Sequence, residues 1–385
     1  SLCLVLFGLF FARKLYRMNL LTIADFYRER YDRRVELVTG IAIALPYLGW
    51  VSAQITAMGL VFNVLSNGEI AQAQGILIGA AIVLMYTLYG GMWSVALTTF
   101  FQMIVIVVGL LYIAWLITDQ AGGVAPVLQH AAANAKFEFW PELQTVAIIT
   151  FISGLLTMGF GSIPQQDVFQ RANSSKNENV AVWGTVLGGV AYFLFAAVPI
   201  YMAYSAHIID PALVARWIGE DAQKILPELI KGDFPLAAQV IFYGALLAVI
   251  MSTASGTLLA PSVTISENVL KGLATRRRRL SDRQLLSMTR WVVAVFAVLV
   301  TLYSLWSLER ETTIHQMVEN AYKVTLVLAF VPLVAGLYWR RATTRGAYLA
   351  IALGLTTWLG LEVLAPEGEG WMPPQFAGFL AACAG

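Results

Sequence analysis

Long apolar runs, separated by short polar segments, dominate the hydrophobic pattern of the chain. A run of about 18 or more apolar residues is long enough to cross the hydrocarbon layer of a membrane as a helix. The pattern therefore predicts one transmembrane domain, residues 1–385, with about ten spans, of which the first and the last are incomplete. The predicted spans are residues 1–12, 35–65, 72–90, 92–118, 145–162, 181–205, 234–262, 288–307, 313–338 and 347–365, with a last one starting near Gln375. Prolines at 46, 199 and 332 lie inside spans and predict kinks.

The composition supports a membrane protein and excludes an ordinary soluble domain. Hydrophobic residues make up 58% of the 385 residues and charged residues 12%, whereas about a quarter of a soluble domain is charged. Cys3 and Cys383 lie at opposite ends, so we expect no disulfide framework and no cysteine-based metal site. No zinc-spaced histidines, phosphate loop or nucleophile elbow occur, and we expect neither an enzyme nor a nucleic-acid partner. Because both ends of the chain lie inside apolar runs, we expect a segment of a longer protein.

The basic residues fall mainly on one side of the predicted helices. Nineteen of the 25 lysines and arginines lie in or beside four polar segments that face the same side if the chain crosses at every span. By the positive-inside rule that side is cytoplasmic. The cytoplasmic segments are residues 13–34, 163–180, 268–288 and 339–346, and the predicted outer loops are residues 119–144 and 206–233.

Two polar segments permit a more specific interpretation. Residues 212–232 are amphipathic and predict a helical cap on the outer surface. The four arginines at 276–279 would suit anionic lipid headgroups, or they serve only to fix the topology.

Four hydroxyl residues interrupt the apolar run at 234–262. They are Ser252, Thr253, Ser255 and Thr257. A helix that faces lipid gains nothing from hydroxyls, because its backbone groups are already paired. Ser252 and Thr253, with the backbone carbonyl of Val249 one turn earlier, could supply oxygen ligands to a small hard cation such as Na⁺. The alternative is that these hydroxyls bond back to their own helix or lie at close helix contacts.

Glycines interrupt the predicted span at 145–162. Gly154, Gly159 and Gly161 lie in it, and Pro164 follows. Each glycine lowers helix stability by about 1 kcal/mol. The pattern predicts a helix that unwinds in mid-membrane and exposes backbone groups to a solute, with close helix packing as the alternative. Gly154 and Gly159 are therefore candidate solute-site residues.

Charged and aromatic residues provide the other candidates for a solute site. Glu319 and Lys323 are four residues apart, which favours an ion pair, and Lys323 lies about 15 Å into its span. An ionisable residue at that depth indicates function, although a structural ion pair is the alternative. Tyr47, Trp50 and Gln54 recur on one helix face, where they would line a solute path or pack in the core.

Five motifs resemble segments of the sodium:solute symporter family, in the same order along the chain. They are TIADFYRERYDRR, MYTLYGGMWSVALTTFFQMIVIVVG, GSIPQQDVFQRANSSKN, ALLAVIMSTASGTLLAPSVTISENVLK and FVPLVAGLYWRRATTRGAYLAI. The third is most similar to choline-transporter-like members, and the fourth resembles the sodium-binding helix of the family. The resemblance covers nearly the whole chain.

This resemblance implies a LeuT-type fold, with two inverted repeats of five helices and a binding site at the membrane centre. It also implies that the side chains of Ser252 and Thr253, with the carbonyl of Val249, form half of the main sodium site. The other half belongs to the first core helix of the family. We expect that the chain begins after that helix, and that part of the sodium site and part of the solute site lie outside it.

The chain departs from one motif of the family. Some members hold a second sodium ion with an aspartate before the glutamine of a T-D-x-x-Q motif, and Thr99 stands at that position here, before Gln102. Gly256 replaces one of the accompanying hydroxyls and leaves Ser255. A neutral threonine stabilises a cation far less than a carboxylate does. The resemblance therefore implies one coupled sodium ion.

The sequence predicts secondary active transport: Na⁺ moves down its gradient and draws a small organic solute, such as an amino acid or a quaternary amine, across the plasma (bacterial inner) membrane. The expected partners are the solute, the sodium ion and the lipid bilayer. Two other functions stay open, namely the transporter-like membrane input domain of a sensor histidine kinase and a channel.

Overall fold

Helices account for nearly all of the computed structural model, which describes residues 1–271, 281–310, 313–365 and 370–385, and only the backbone of residues 89–94. Within these ranges no strand occurs. The arginine run at 276–279 lies outside the described residues, so the two interpretations of it stand as they were.

Fifteen helices are numbered here in chain order. They are α1 (residues 2–17), α2 (Ile23–Arg30), α3 (Arg33–Leu65), α4 (Gln72–Gln120), α5 (Val124–Ala133), α6 (Thr145–Phe160), α7 (Gln166–Asn173), α8 (Glu178–Ile209), α9 (Pro211–Ile218), α10 (Ile225–Asp233), α11 (Leu236–Leu270), α12 (Asp282–Leu308), α13 (Ile314–Tyr338), α14 (Thr344–Leu364) and α15 (Pro374–Ala384).

In the part of the chain that the structure describes, seven apolar helical segments are long enough to cross a membrane. Helix α4 contributes one of them, Val95–Gln120, and also a shorter apolar segment, Gln72–Leu88. The hydroxyls of Tyr86 and Thr98 are in contact, although a straight helix would separate residues twelve apart by about 18 Å. Helix α4 therefore bends between its two apolar segments, as the separate predicted spans 72–90 and 92–118 require.

The three prolines affect their helices differently. Pro46 separates the two halves of α3, which end at Ala44 and resume at Tyr47. Pro332 lies two residues after a π-helical segment, Leu326–Phe330, inside α13. Pro199 lies within α8, which continues past it. Proline removes one backbone donor, and a π-helical turn is a common adjustment near such a site.

The amphipathic segment at 212–232 forms two helices, α9 and α10, rather than one. Leu229 and Ile230 of α10 are fully buried, and the hydroxyl of Tyr243 on α11 donates to the carbonyl of Pro227 at 2.7 Å. The apolar face of this segment thus packs on the bundle.

A buried polar cluster joins the C-terminal end of α11 to α2 and α3. The amide nitrogen of Asn268 donates to Asp25 at 2.9 Å and to Glu36 at 2.7 Å, and its amide oxygen accepts from the hydroxyl of Thr22 at 2.8 Å. Asn268 and Glu36 are 0% exposed. Arg28 lies 3.0 Å from Asp25 and partly balances the buried carboxylates. The cluster fixes three segments that are far apart in sequence.

Replacing Asn268 by alanine should destabilise the protein, because two buried carboxylates would lose their amide donor, at a cost of about 1–3 kcal/mol. The measurement is the melting temperature of the purified protein in detergent. Asn179→Ala is the matched control, since Asn179 accepts from Arg13 at 3.1 Å in an exposed hydrogen bond. Equal effects of the two substitutions would contradict the assigned role of Asn268.

Candidate functional site

The hydroxyl cluster lies in the middle of α11, where that helix packs against α4 and α3. Ser252 and Thr253 are partly exposed, whereas Ser255 and Thr257 are buried. The hydroxyl of Ser252 donates to the carbonyl of Val249 at 3.0 Å, so two of the three predicted sodium ligands are adjacent. Thr257 donates to the carbonyl of Thr253 at 2.8 Å. The hydroxyls of Ser252 and Thr257 thus make the back-bonds to their own helix that the alternative interpretation describes.

Gly256 of α11 lies beside a positively charged side chain of another helix. A Cβ atom on Gly256 would lie 2.6 Å from the Nη2 atom of Arg171, which extends from α7. A side chain at position 256 would therefore displace the guanidinium end of Arg171 from this place. A positively charged group therefore occupies the space that a side chain at 256 would fill.

Thr99 lies on α4 in the half that packs against α11. Its hydroxyl and the amide oxygen of Gln102 are buried and have no hydrogen-bond partner within the described part of the chain. The hydroxyl of Ser255 donates to the carbonyl of Ser252 at 3.3 Å. Position 99 of α4 thus offers a neutral hydroxyl and no carboxylate.

The break in the glycine-rich segment occurs later than predicted. Helix α6 is continuous from Thr145 to Phe160, and Gly154 and Gly159 lie inside it. The chain leaves the helix at 161–165 and resumes as α7. A Cβ atom on Gly161 would overlap the carbonyl oxygens of Tyr322 and Thr157. The unwinding expected in the middle of the span is therefore wrong for Gly154 and Gly159, and backbone contact at Gly161 is the physical reason for the actual position.

Polar side chains from three helices meet at this break. Thr325 of α13 donates to the carbonyl of Gly161 at 2.5 Å and accepts from the amide of Gln165 at 3.2 Å. Tyr47 of α3 donates to the carboxylate of Asp167 at 2.5 Å and accepts from the backbone amide of Asp167 at 3.0 Å. Asp167, Gln165 and Thr325 were not among the residues predicted from the sequence. The polar run that follows the glycines was the available signal.

An aromatic cluster, defined by Tyr47, Trp50 and Tyr322, adjoins the break. The rings of Tyr47 and Trp50 are stacked with centroids 5.7 Å apart, and the ring of Tyr322 meets Trp50 edge-on at 5.3 Å. Tyr47 is 1% exposed, while Trp50 is partly exposed. The structure thus brings two of the three predicted aromatic-face residues to the break. Gln54, the third, lies two turns beyond Tyr47 and is partly exposed.

The predicted charged pair is present on α13. The Nζ atom of Lys323 lies 3.8 Å from a carboxylate oxygen of Glu319, and His315 lies 3.8 Å from the same carboxylate. Lys323 is 6% exposed. Lys323 follows Tyr322 of the aromatic cluster directly, so the charged pair lies on the helix whose Tyr322 and Thr325 contact the break.

Comparison with known proteins identifies the relatives of the chain. The family model of the sodium:solute symporter family matches residues 1–354. High affinity choline transporter 1 of Homo sapiens is 27% identical over 375 residues, which cover 92% of this chain and 61% of that protein. The osmoregulated proline transporter OpuE of Bacillus subtilis is 26% identical over 88% of this chain and 67% of its own length. The chain thus spans about three fifths of the choline transporter.

Two solved structures share the fold. A Na⁺-coupled sialic acid symporter in a substrate-bound outward-open state has a TM-score of 0.81 at 18% identity, covering 100% of this chain and 80% of the other. The nucleobase-cation-symport-1 family transporter Mhp1, in a closed conformation, has a TM-score of 0.62 at 17% identity, covering 99% of this chain and 81% of the other. The predicted all-helical, LeuT-type multi-pass fold is confirmed.

Two single substitutions, at Gly161 in the break and at Gly154 in the continuous helix, should have different effects on the melting temperature. Gly161→Ala should lower the melting temperature, because overlap with two carbonyl oxygens costs about 1–3 kcal/mol. Gly154→Ala should leave it unchanged or raise it, since among the described residues no atom outside the backbone of its own helix lies within 4 Å of the added Cβ atom, and alanine favours a helix by about 0.5–1 kcal/mol. Equal melting temperatures for both variants would be inconsistent with a break at Gly161.

Proposed function

Because the chain belongs to the sodium:solute symporter family, we propose that it performs sodium-coupled symport of a small organic solute across the plasma membrane by alternating access. The match of the family model over residues 1–354 is the observation that carries this proposal. Choline and proline transporters among the relatives support a small solute such as an amino acid or a quaternary amine. A sodium/proline symporter of Haemophilus influenzae, 26% identical over 93% of this chain, supports sodium as the coupling ion.

On the ion side, we propose Val249, Ser252 and Thr253 as ligands of the coupled sodium ion. The carbonyl of Val249 and the hydroxyl of Ser252 lie 3.0 Å apart, and oxygen ligands suit a hard cation. When the ion binds, both oxygens would coordinate it, and the hydrogen bond between them would be lost. Coupling between ion and solute is reciprocal, so bound solute would raise sodium affinity as well.

On the solute side, the break at 161–165 is the centre of the proposed site. Tyr47 and Trp50 line it through the aromatic cluster. Glu319 and Lys323, on the helix that carries Tyr322, are proposed to contribute charge. Further along, Gln54 and the α6 residues Gly154 and Gly159 are proposed to border the solute path, the two glycines as small residues within a regular helix.

Ser252→Ala and Thr253→Ala should each raise the sodium concentration that gives half-maximal uptake by about tenfold, because each removes an oxygen ligand worth about 1.4 kcal/mol. The measurement is solute uptake into membrane vesicles as a function of sodium concentration. Ser262→Ala is the control, since Ser262 is buried on the same helix and its hydroxyl donates to the carbonyl of Leu258 at 2.8 Å. Unchanged sodium dependence in both test variants would count against the site.

We expect one sodium ion to move with each solute molecule, because Thr99 supplies no carboxylate and Arg171 places a positive charge beside Gly256. The measurement is the flux ratio of labelled sodium and labelled solute in proteoliposomes. A ratio of two ions per solute would refute this expectation.

A further inference from the structure

Asp167 is a buried carboxylate at the break, and no basic side chain of the described residues lies within 4 Å of it. It is 6% exposed. Its partner is the hydroxyl of Tyr47, at 2.5 Å. A buried carboxylate without a neighbouring cation carries a large desolvation penalty, which a bound cation would offset.

We infer that Asp167 binds the positively charged ammonium group of the transported solute. This inference rests on the proposed function, because it assigns a chemical class to the solute of that transport site. The negative charge lies in the first turn of α7, directly after the non-helical break at 161–165. A cation entering the break therefore meets a fixed opposite charge that is buried among the helices, where water screens it weakly.

The aromatic cluster makes this position suited to a cation. Tyr47 belongs to the cluster and also holds Asp167, so the stacked rings and the carboxylate are joined by one side chain. Trp50 stacks on Tyr47 and is met edge-on by Tyr322. Aromatic faces attract ammonium groups, and tryptophan does so most strongly. Quaternary ammonium ligands are recognised by aromatic groups in this way.

An unpaired polar atom next to Asp167 indicates a further feature of the solute. The amide oxygen of Gln165 is buried and has no donor in the described part of the chain, although its amide nitrogen bonds Thr325. A buried acceptor without a donor costs about 1–3 kcal/mol. A hydroxyl or N–H group of the solute would satisfy it. The favoured solute is therefore a small ammonium compound with a hydrogen-bond donor.

The competing explanation is structural. Asp167 lies near the N-terminus of α7, where a carboxylate stabilises the helix, and it fixes the position of Tyr47. If that were its whole role, Asp167→Asn would lower the stability of the protein. It would then change the affinities for charged and uncharged solutes of the same shape equally.

The test measures binding of choline to the purified protein by calorimetry, in sodium chloride and in potassium chloride. The comparison ligand is dimethylbutanol, the uncharged analogue in which carbon replaces the nitrogen of choline. Asp167→Asn keeps the shape and removes the charge. Asp32→Asn is the matched control, because Asp32 also accepts a hydrogen bond from a tyrosine, Tyr348, at 2.7 Å, and caps α3 far from the break along the sequence.

Choline should bind to the unmodified protein in sodium, and dimethylbutanol should bind at least about tenfold more weakly, since only the charge differs. Asp167→Asn should weaken choline by at least about tenfold and remove the preference over dimethylbutanol, while Asp32→Asn should leave both affinities unchanged. Trp50→Leu should weaken choline more than Trp50→Phe does, because phenylalanine retains an aromatic face.

Equal binding of the two ligands, or an Asp167→Asn variant that keeps the preference for choline, would overturn the inference. Absence of choline binding would also overturn it. The proposed function would fail separately, if sodium did not raise the melting temperature of the unmodified protein relative to potassium. If sodium raises the melting temperature, Ser252→Ala abolishes this effect and the unmodified protein does not bind choline, the symport proposal is retained. The role of Asp167 is then rejected.

Discussion

Between the helices of this bundle, a polar side chain has no bulk water to bond, and this constraint determines where the chemistry of the chain collects. Each buried polar group must find a partner in the bundle or remain unpaired at a cost. Asn268 satisfies the first condition with three partners on two other segments. Gln165 meets it only in part, since its amide oxygen has no donor among the described residues. The contrast separates a structural cluster from a candidate binding site.

The candidate site is built where three helices depart from regular geometry. Helix α3 is interrupted at Pro46, directly before Tyr47. The segment 161–165 is non-helical, and the π-helical segment Leu326–Phe330 follows directly after Thr325. Irregular backbone leaves carbonyl groups without their usual partners. Side-chain hydroxyls donate hydrogen bonds to these carbonyls. Thr325 donates to the carbonyl of Gly161, and Tyr27 of α2 donates to the carbonyl of Ala329 at 2.8 Å. The irregular segments are thus stabilised by long-range hydrogen bonds.

The sequence predicted those parts of the fold that depend on local pattern. Apolar run length located the helices, and the spacing of Glu319 and Lys323 predicted a pair on one face because that geometry belongs to any helix. The glycines at 154 and 159 were misleading, since a glycine weakens a helix without breaking it when neighbouring helices support it. The role of Gly161 depends on the backbone of Tyr322, which lies far away in the sequence.

Asp167 could not be found from the sequence for the same reason. Its hydrogen-bond partner, Tyr47, is 120 residues earlier, and nothing in the local pattern distinguishes Asp167 from an acidic residue in the first turn of an ordinary helix. Tyr47 was identified only through its helical spacing with Trp50. The contact between the two residues became visible when α3 and α7 were placed side by side.

Helix α11 connects the two kinds of polar cluster. It is helical from Leu236 to Leu270, so Ser252 and Asn268 lie on one element, about 24 Å apart along its axis. A rigid tilt of α11 about its sodium-site residues would therefore displace Asn268 and strain its bonds to Asp25 and Glu36. The short donor–acceptor distances in that cluster, 2.9 and 2.7 Å, leave little room for such a displacement. Any movement of α11 relative to α2 and α3 must then either break the cluster or carry those helices along as one body.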